Sequence, residues 1–400
     1  MNVLIVNNLF RPYSVGGAEE SVYELANELA SQGLTVTVAT AVPPDYSGPL
    51  SEALAGGVQV ERWVTNSLAP FLPQTKRRSA FEKLYWHLAE IYRPSAYRFL
   101  SRLIRDTKPD IVHLNNTAGF GGAAWRACRG VKSIQTERGY YLACWRSTTF
   151  RDSAPCSHQC QLCHISKLPL RAARHRPDMF VGISSAMLER NRQFGAIKAG
   201  EPTAVVQNAP HQDPVPVTPH NGFVIGMMGQ TDPKKGFDVV LNALATVPDL
   251  EVTLIVAGDG LPQFVEPLAL LAAKDPRVTL TGRLSRDEFF AQVDAVLVPS
   301  QWPEPFGRVA AEAILAGRNV AVSGAGGLPE AVAGKPGSII VDDFDSPQAW
   351  ATAIEVLSIT SRADTGTSCD TTRRQVSDVA SEYRVLYESL AHGSMWSSPR

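Results

Sequence analysis

Residues 299–330 read PSQWPEPFGRVAAEAILAGRNVAVSGAGGLPE. They follow an apolar run, Ala295 to Val298, whose composition predicts a buried strand that Pro299 closes. A loop with Glu304, Pro305, Phe306 and Gly307 leads into a helix from about Arg308, which stops at Gly317. A strand that passes through a Pro/Gly loop into a helix presents unpartnered N–H groups at the helix start, and such a start favours anions, phosphates above all. Glu304 lies in the loop and Glu312 inside the helix, with seven residues between them. On a helical path they stand about 12 Å apart, too far for one small group to touch both. An extended ligand, hydroxylated at its ends and anionic at its centre, fits that spacing. The alternative is a plain α/β crossover with two surface glutamates. Three features weigh against it: both glutamates follow a strand's carboxyl end, where open α/β sheets bind ligands; Trp302, Phe306 and two prolines make the loop rigid and apolar; and a second glycine-rich turn, Gly324 to Gly327, opens another helix at Leu328.

The whole chain sets bounds. Its 400 residues suggest two domains, and 44% hydrophobic with 19% charged residues indicates an ordinary globular core. A net charge of −1 excludes nucleic-acid binding by bulk electrostatics. No apolar run approaches a membrane span. The start, MNVLIVNN, enters a strand directly without an export signal, so a cytoplasmic protein is expected. Six cysteines there read as thiols or metal ligands sooner than disulfides.

Residues 1–210 read as a first α/β domain. Val3 to Val6 predicts a central strand, and Val22, Leu25, Ala26 and Leu29 give a helix to about Ser31. Gly16 and Gly17 open that helix and allow close backbone approach to a ligand; a plain turn is the alternative. G-x-G-x-x-G is missing, so a dinucleotide-dependent dehydrogenase is not supported. Residues 66–108 are basic and aromatic: Lys76, Arg77, Arg78, Lys83, Arg93, Arg98, Arg102 and Arg105 interleave with Tyr85, Trp86, Tyr92, Tyr97 and Phe99. This is either a solvated helical face or an acceptor-side surface near lipid headgroups, which would place the protein at the inner face of a membrane. His113 enters a strand, as a structural or a cleft residue. Cys144, Cys156, Cys160 and Cys163 lie near His158 and His164 at close to metal-ligand spacing. A structural zinc site, unligated thiols and a disulfide all remain open. Met179 to Ile183 predicts a strand into a helix capped by Ser184 or Ser185, and Asn208 follows the last strand of the domain.

Residues 211–221 are a proline-rich linker, and 222–375 a second α/β domain. Lys235, before Gly236 and a helix start, can meet phosphate as a point charge. Gly258 lies in a strand-exit turn, and Leu284 follows another strand. Residues 376–400 hold a tail helix with Tyr383 and Tyr387, expected to pack on the first domain.

PSQWPEPFGRVAAEAILAG resembles the E-x7-E signature of retaining glycosyltransferases of family 4, and GAGGLPE the G-G-x-x-E turn that follows it there. IQTERGYYLACWRSTTFRDSAPCSHQCQLC is similar to a cysteine-bearing subset of that family, and GGAE at Gly16 to its glycine loop. The resemblance implies a GT-B fold, two Rossmann-like domains across a cleft, and transfer from a nucleoside-diphosphate sugar with retention. Catalytic candidates are then Glu304, Lys235 and Arg138. Donor contacts are expected at Gly16, Gly17, Gln230, Lys235, Gly258, Leu284, Glu304, Phe306, Gly307 and Glu312. No metal is expected on the diphosphate. Two departures stand out: Gln230 replaces the family's arginine, and Arg138 its histidine. They motivate a second reading, a catalytically degenerate sugar-nucleotide- or glycan-binding protein. The acceptor is expected to be a saccharide, lipid-linked or small-molecule hydroxyl.

Overall fold

The computed structural model describes residues 1–13, 16–65, 93–171, 173, 175–210, 215–363 and 374–393. Two compact units result: residues 1–148, 158–209 and 374–400 form the first, residues 149–157 and 210–373 the second.

The first unit is built on β1 (Asn2–Val6), β2 (Thr35–Val42), β3 (Ser51–Ala53), β4 (Gln59–Val64), β5 (Ile111–Leu114) and β6 (Lys132–Glu137). A small hairpin, β7 (Phe150–Arg151) and β8 (Ala154–Pro155), belongs to the second unit; β9 (Met179–Gly182) and β10 (Thr203–Val205) return to the first. The sheet order is β10-β9-β6-β5-β1-β2-β4-β3, and every pairing is parallel except β3 with β4. Parallel strands covered on both faces need apolar residues on both, which is why β1 reads as a continuous run and Val3 to Val6 are buried. Strand order reverses on either side of β1, so the loops after β1 and β5 diverge there.

The helices of this unit are α1 (Gly17–Ser31), α2 (Pro94–Thr107), α3 (Gly122–Ala127), α4 (Gln161–Arg171), α5 (Ser185–Gln193) and α12 (Val376–His392). Ser184 caps α5 by accepting from the Met187 N–H. The tail helix α12 joins the core of this unit: Val379, Ala380, Tyr383, Leu386 and Tyr387 pack with Val22, Leu25 and Ile5. Burying each tyrosine ring stabilises by about 2 kcal/mol, provided its hydroxyl finds a partner. Both do. His113 Nδ1 meets the Tyr387 hydroxyl at 2.6 Å, His113 Nε2 meets Thr136 Oγ1 at 2.7 Å, and Thr136 Oγ1 meets the Tyr383 hydroxyl at 2.9 Å. His113 is therefore structural. Burial, helped by the charge of Arg138, holds its pKa well below the usual histidine value and keeps it neutral.

Of the basic stretch, residues 66–92, including Lys76, Arg77, Arg78, Lys83, Tyr85, Trp86 and Tyr92, lie outside the described residues. Arg93 is buried and donates to Thr65 Oγ1 at 3.0 Å, so it belongs to packing and not to a charged surface. No helix among the described residues is long and apolar enough to cross a membrane.

The second unit carries β11 (Phe223–Met228), β12 (Val252–Ala257), β13 (Val278–Gly282), β14 (Ala295–Val298), β15 (Asn319–Ser323) and β16 (Ser338–Val341). Its helices are α6 (Phe237–Thr246), α7 (Pro262–Ala272), α8 (Arg286–Phe290), α9 (Arg308–Leu315), α10 (Leu328–Val332) and α11 (Pro347–Ala363). The order β13-β12-β11-β14-β15-β16 is fully parallel and reverses between β11 and β14. That is the doubly wound Rossmann order, whose ligand crevice opens at the reversal.

Candidate active site

In the second unit the loops after β11 and β14, the two strands at the reversal, bring Lys235 and Glu304 together. Lys235 ends a 3-10 turn, Pro233–Lys235, capped by the Asp232 carboxylate, which accepts from the Lys234 N–H at 3.0 Å. Asp232 also takes the Lys234 ammonium, at 3.1 Å. Lys235 turns the other way and forms an ion pair with Glu304 Oε1. Ser300 Oγ and Trp302 Nε1 donate to the same oxygen. Glu304 is 8% exposed. Burial opposes its ionisation, but the Lys235 charge and the three hydrogen bonds outweigh burial and hold its pKa below the usual carboxylate value. Glu304 is held toward its anionic form, with Lys235 as its counter-charge.

The turn at Gly324–Gly327 locks this loop. Gly327 N–H donates to the Glu304 carbonyl at 2.7 Å, and Glu304 and Gly326 form a parallel β-bridge. Gly326 has φ 63°, and a Cβ there would stand 2.3 Å from the Glu304 carbonyl oxygen. Only glycine fits. Gly307 (φ 107°) caps α9 and turns the chain into it. Glu312 is buried on α9 and accepts from Arg308 Nε at 2.6 Å. Both glutamates of the E-x7-E element are therefore buried and each is matched by a cation.

The remaining expected residues of this unit gather along the same strand ends. Gln230 follows β11 and is half-buried. Gly258, after β12, donates its N–H to the Gly282 carbonyl, and a Cβ on it would collide with the Gly229 carbonyl at 1.8 Å. Contact between neighbouring strand-exit turns already explains that glycine. Leu284 leans partly buried on the core formed by β14 and α9. Phe306 is buried in the loop before α9.

The first unit holds Arg138 just beyond β6. Its Nε donates to Asn115 Oδ1 at 3.0 Å and its Nη1 to Asn208 Oδ1 at 2.8 Å. Asn115 follows β5 and Asn208 follows β10, so the guanidinium is held between strand ends by two neutral amides. It lines a cavity of about 140 Å³ with Asn115, Thr117, Gln135, Glu137 and Tyr140. Glu137 escaped the sequence reading. Burial drives its pKa up to about 8, against the Gln135 hydrogen bond and the charges of Lys167 and Arg176. Burial thus biases the carboxyl toward its neutral, protonated form. Alternation along β6 was a usable signal: Gln135 and Glu137 share one face of a buried strand. Gly16 caps α1 with extended backbone, and its N–H donates to Glu19 Oε2 at 2.9 Å; Gly17 is the first helical residue.

Of the three readings open for Cys144, Cys156, Cys160 and Cys163, a disulfide is the one this structure does not contain. Among the described residues, no group of three or more His, Cys, Asp or Glu side chains is arranged to hold a metal ion. Cys163 instead offers its thiol proton to the Cys144 sulfur at 3.8 Å.

Two family models match the chain: Glycosyltransferase Family 4 over residues 15–209, and Glycosyl transferases group 1 over residues 222–358. The chain is a GT-B glycosyltransferase. A Klebsiella pneumoniae relative, an uncharacterized 42.6 kDa protein in the cps region, is 30% identical over 362 residues, covering 89% of this chain and 94% of its own length. A D-inositol 3-phosphate glycosyltransferase from Mycobacterium ulcerans is 37% identical over 147 residues, but these span only 34% of this chain and 30% of that one. Among solved structures, sucrose-phosphate synthase from Thermosynechococcus elongatus superposes with TM-score 0.69 at 18% identity, over 98% of this chain and 96% of its own. The Anabaena protein HepE, solved with UDP and glucose, superposes with TM-score 0.66 at 19% identity, over 97% and 99%. These glycosyltransferase-like neighbours establish the GT-B fold for the whole chain.

Proposed function

We propose that the protein is a retaining glycosyltransferase that moves a sugar from a nucleoside-diphosphate sugar to a hydroxyl of a saccharide, lipid-linked or small-molecule acceptor. The observation that carries this is the Lys235–Glu304 ion pair at the strand reversal, beside the Gly307 start of α9. A buried ion pair contributes little to stability, because desolvation of both charges offsets their attraction. It is better suited to exchange: an incoming diphosphate takes Lys235, and Glu304 turns to sugar hydroxyls. The N–H groups of Phe306 and Gly307 and the dipole of α9 complete the anion site. Charge develops on the diphosphate as the glycosidic bond breaks, so fixed cations and dipoles there lower the barrier. Arg308, one turn from Glu312 on α9, supplies the cation that Gln230 does not. Glu312 accepts from the ribose diol, and Leu284 packs on the base. In the first unit, Arg138 and the neutral Glu137 offer hydrogen bonds to an uncharged acceptor hydroxyl. Attack from the face the leaving group departs is what the resemblance to retaining family 4 enzymes implies.

A thermal-shift screen against UDP-, GDP- and ADP-sugars, with Glu312→Ala alongside, tests the donor site. One nucleotide class should stabilise the wild type, and Glu312→Ala should weaken that binding by roughly 2–4 kcal/mol, the value of two hydrogen bonds to a charged group. Unchanged donor affinity in Glu312→Ala removes the ribose assignment. The anomeric configuration of the product, read by NMR, tests retention.

A further inference from the structure

Cys160, Cys163 and Cys144 take no part in the transfer chemistry above, yet they are arranged for chemistry of their own. None of them is disulfide-bonded. Cys160 stands immediately before α4, and its carbonyl accepts the first helical bond, from the His164 N–H at 2.9 Å. The backbone N–H groups of Cys163 and Leu162 turn onto its sulfur and lower its pKa, as a helix start does for any thiolate. Cys160 is partly exposed, whereas Cys163 and Cys144 are buried. The hydrogen bond to Cys144, reinforced by burial, pushes the Cys163 thiol far above its ordinary value. The Cys163 and Cys144 sulfurs lie 3.8 Å apart. Backbone amides steady both: Trp145 N–H donates to Cys163 Sγ at 3.2 Å, and Arg146 N–H to Cys144 Sγ at 3.3 Å. The C-x2-C spacing thus pairs an accessible sulfur at a helix start with a buried one, and a third sulfur touches the second.

We propose that these three cysteines form a thiol–disulfide exchange site for a low-molecular-weight disulfide, with Cys160 as the attacking sulfur and a Cys144–Cys163 bridge as the product. The Cys160 thiolate attacks one sulfur of the external disulfide. The S–S bond breaks, a mixed disulfide forms, and the first external thiolate leaves and takes a proton. Cys163 gives up its proton and attacks the Cys160 sulfur, expelling the second external thiolate, which is protonated in turn. Cys144 then gives up its proton to solvent, attacks Cys163 and releases Cys160 as a thiolate. Two protein thiols have lost two electrons, and the external disulfide has become two thiols. Closing the Cys144–Cys163 gap needs a movement of about 2 Å. The bridge ties the turn Tyr140–Cys144, which follows Arg138 in the chain, to α4. That turn is already held by Gln159 Nε2, which donates to the Ala143 carbonyl at 2.6 Å.

The test uses the full chain, reduced, desalted and equilibrated with glutathione disulfide, then alkylated and digested without reduction for mass spectrometry. Two thiols should be lost, with Cys144 linked to Cys163. Cys160→Ser should slow the loss by roughly tenfold or more while leaving the same final link. Cys163→Ser should abolish the Cys144–Cys163 link and leave Cys160 as a mixed disulfide with glutathione, and Cys128→Ser, at a buried thiol whose pKa is pushed up to about 12, should change nothing. Three results would overturn the proposal: every cysteine still alkylated in the wild type, a link made only through Cys156, or thiols protected by tightly held zinc. None of these depends on the transferase reading.

Discussion

The two units share one architecture and treat their buried charges in opposite ways. Each has a parallel sheet that reverses order beside its first strand. At the reversal in the second unit, buried carboxylates meet cations: Glu304 with Lys235, Glu312 with Arg308. At the strand ends of the first unit, the cation Arg138 rests on two amide oxygens, the carboxylates of Glu19 and Glu24 act on it through their charge alone, and burial pushes the carboxyl of its chain neighbour Glu137 toward the neutral form. A crevice of matched ions can trade one partner for a multiply charged ligand with little change in total charge. A crevice of neutral acids and amides cannot host such a ligand cheaply, but it can direct hydrogen bonds at an uncharged one. The contrast suggests a division of labour between an ionic donor and a hydroxyl acceptor.

The largest test of that contrast removes one ion. Lys235→Ala leaves Glu304 buried and charged, and should destabilise the protein by about 3–5 kcal/mol. Lys235→Ala/Glu304→Gln should recover most of the stability and none of the donor binding. If the double variant still binds donor like the wild type, the second unit's charges are structural only. Chemical denaturation and calorimetry read the two effects separately.

A smaller effect belongs to Glu137. Its folded pKa of about 8 lies above the ordinary carboxyl value, so the folded state holds a proton that the unfolded state has released. Stability from this group is full at acid pH and is lost as pH rises through about 8, on the order of a few kcal/mol in all. Glu137→Gln should flatten the melting temperature over that window. An unchanged pH profile would mean that Glu137 is ionised in the fold, and the neutral character of the first crevice would fall with it.

The smallest is at Gly16. Its backbone is extended and a Cβ would meet nothing nearer than 3.8 Å. Gly16→Ala should therefore cost about 1 kcal/mol of stability or less. A larger loss of donor affinity would identify close ligand approach as the reason for the glycine; equal affinity would make it a helix cap and nothing more.

What could be read from the chain depended on how local each feature is. The strand, loop and helix of residues 295–317 and the glycine turn after them are contiguous, and their composition sufficed. The place of Lys235, before a glycine and a helix start, was legible because that pattern is local. Its partnership with Glu304 was not, since it rests on two strands being neighbours in the sheet. The amides that hold Arg138 come from two other strand ends, so no spacing reports them. The cysteine cluster is mixed: its spacing left zinc, thiols and a disulfide open, and the approach of the Cys144 and Cys163 sulfurs to 3.8 Å is visible only in three dimensions. His113 looked ambiguous because its partner, Tyr387, lies 274 residues away.

That last contact has a consequence for how the protein is made. The first unit's sheet is complete once residue 209 has been synthesised, but α12, which fills part of its core, leaves the ribosome only after the whole second unit. At about 5–20 residues per second, the exposed face of β5 and α1 waits many seconds for its cover. The second unit, contiguous from residue 210 to 373 apart from one short segment, can close first. Vectorial synthesis therefore favours an inverted order of maturation, in which the half begun first is finished last.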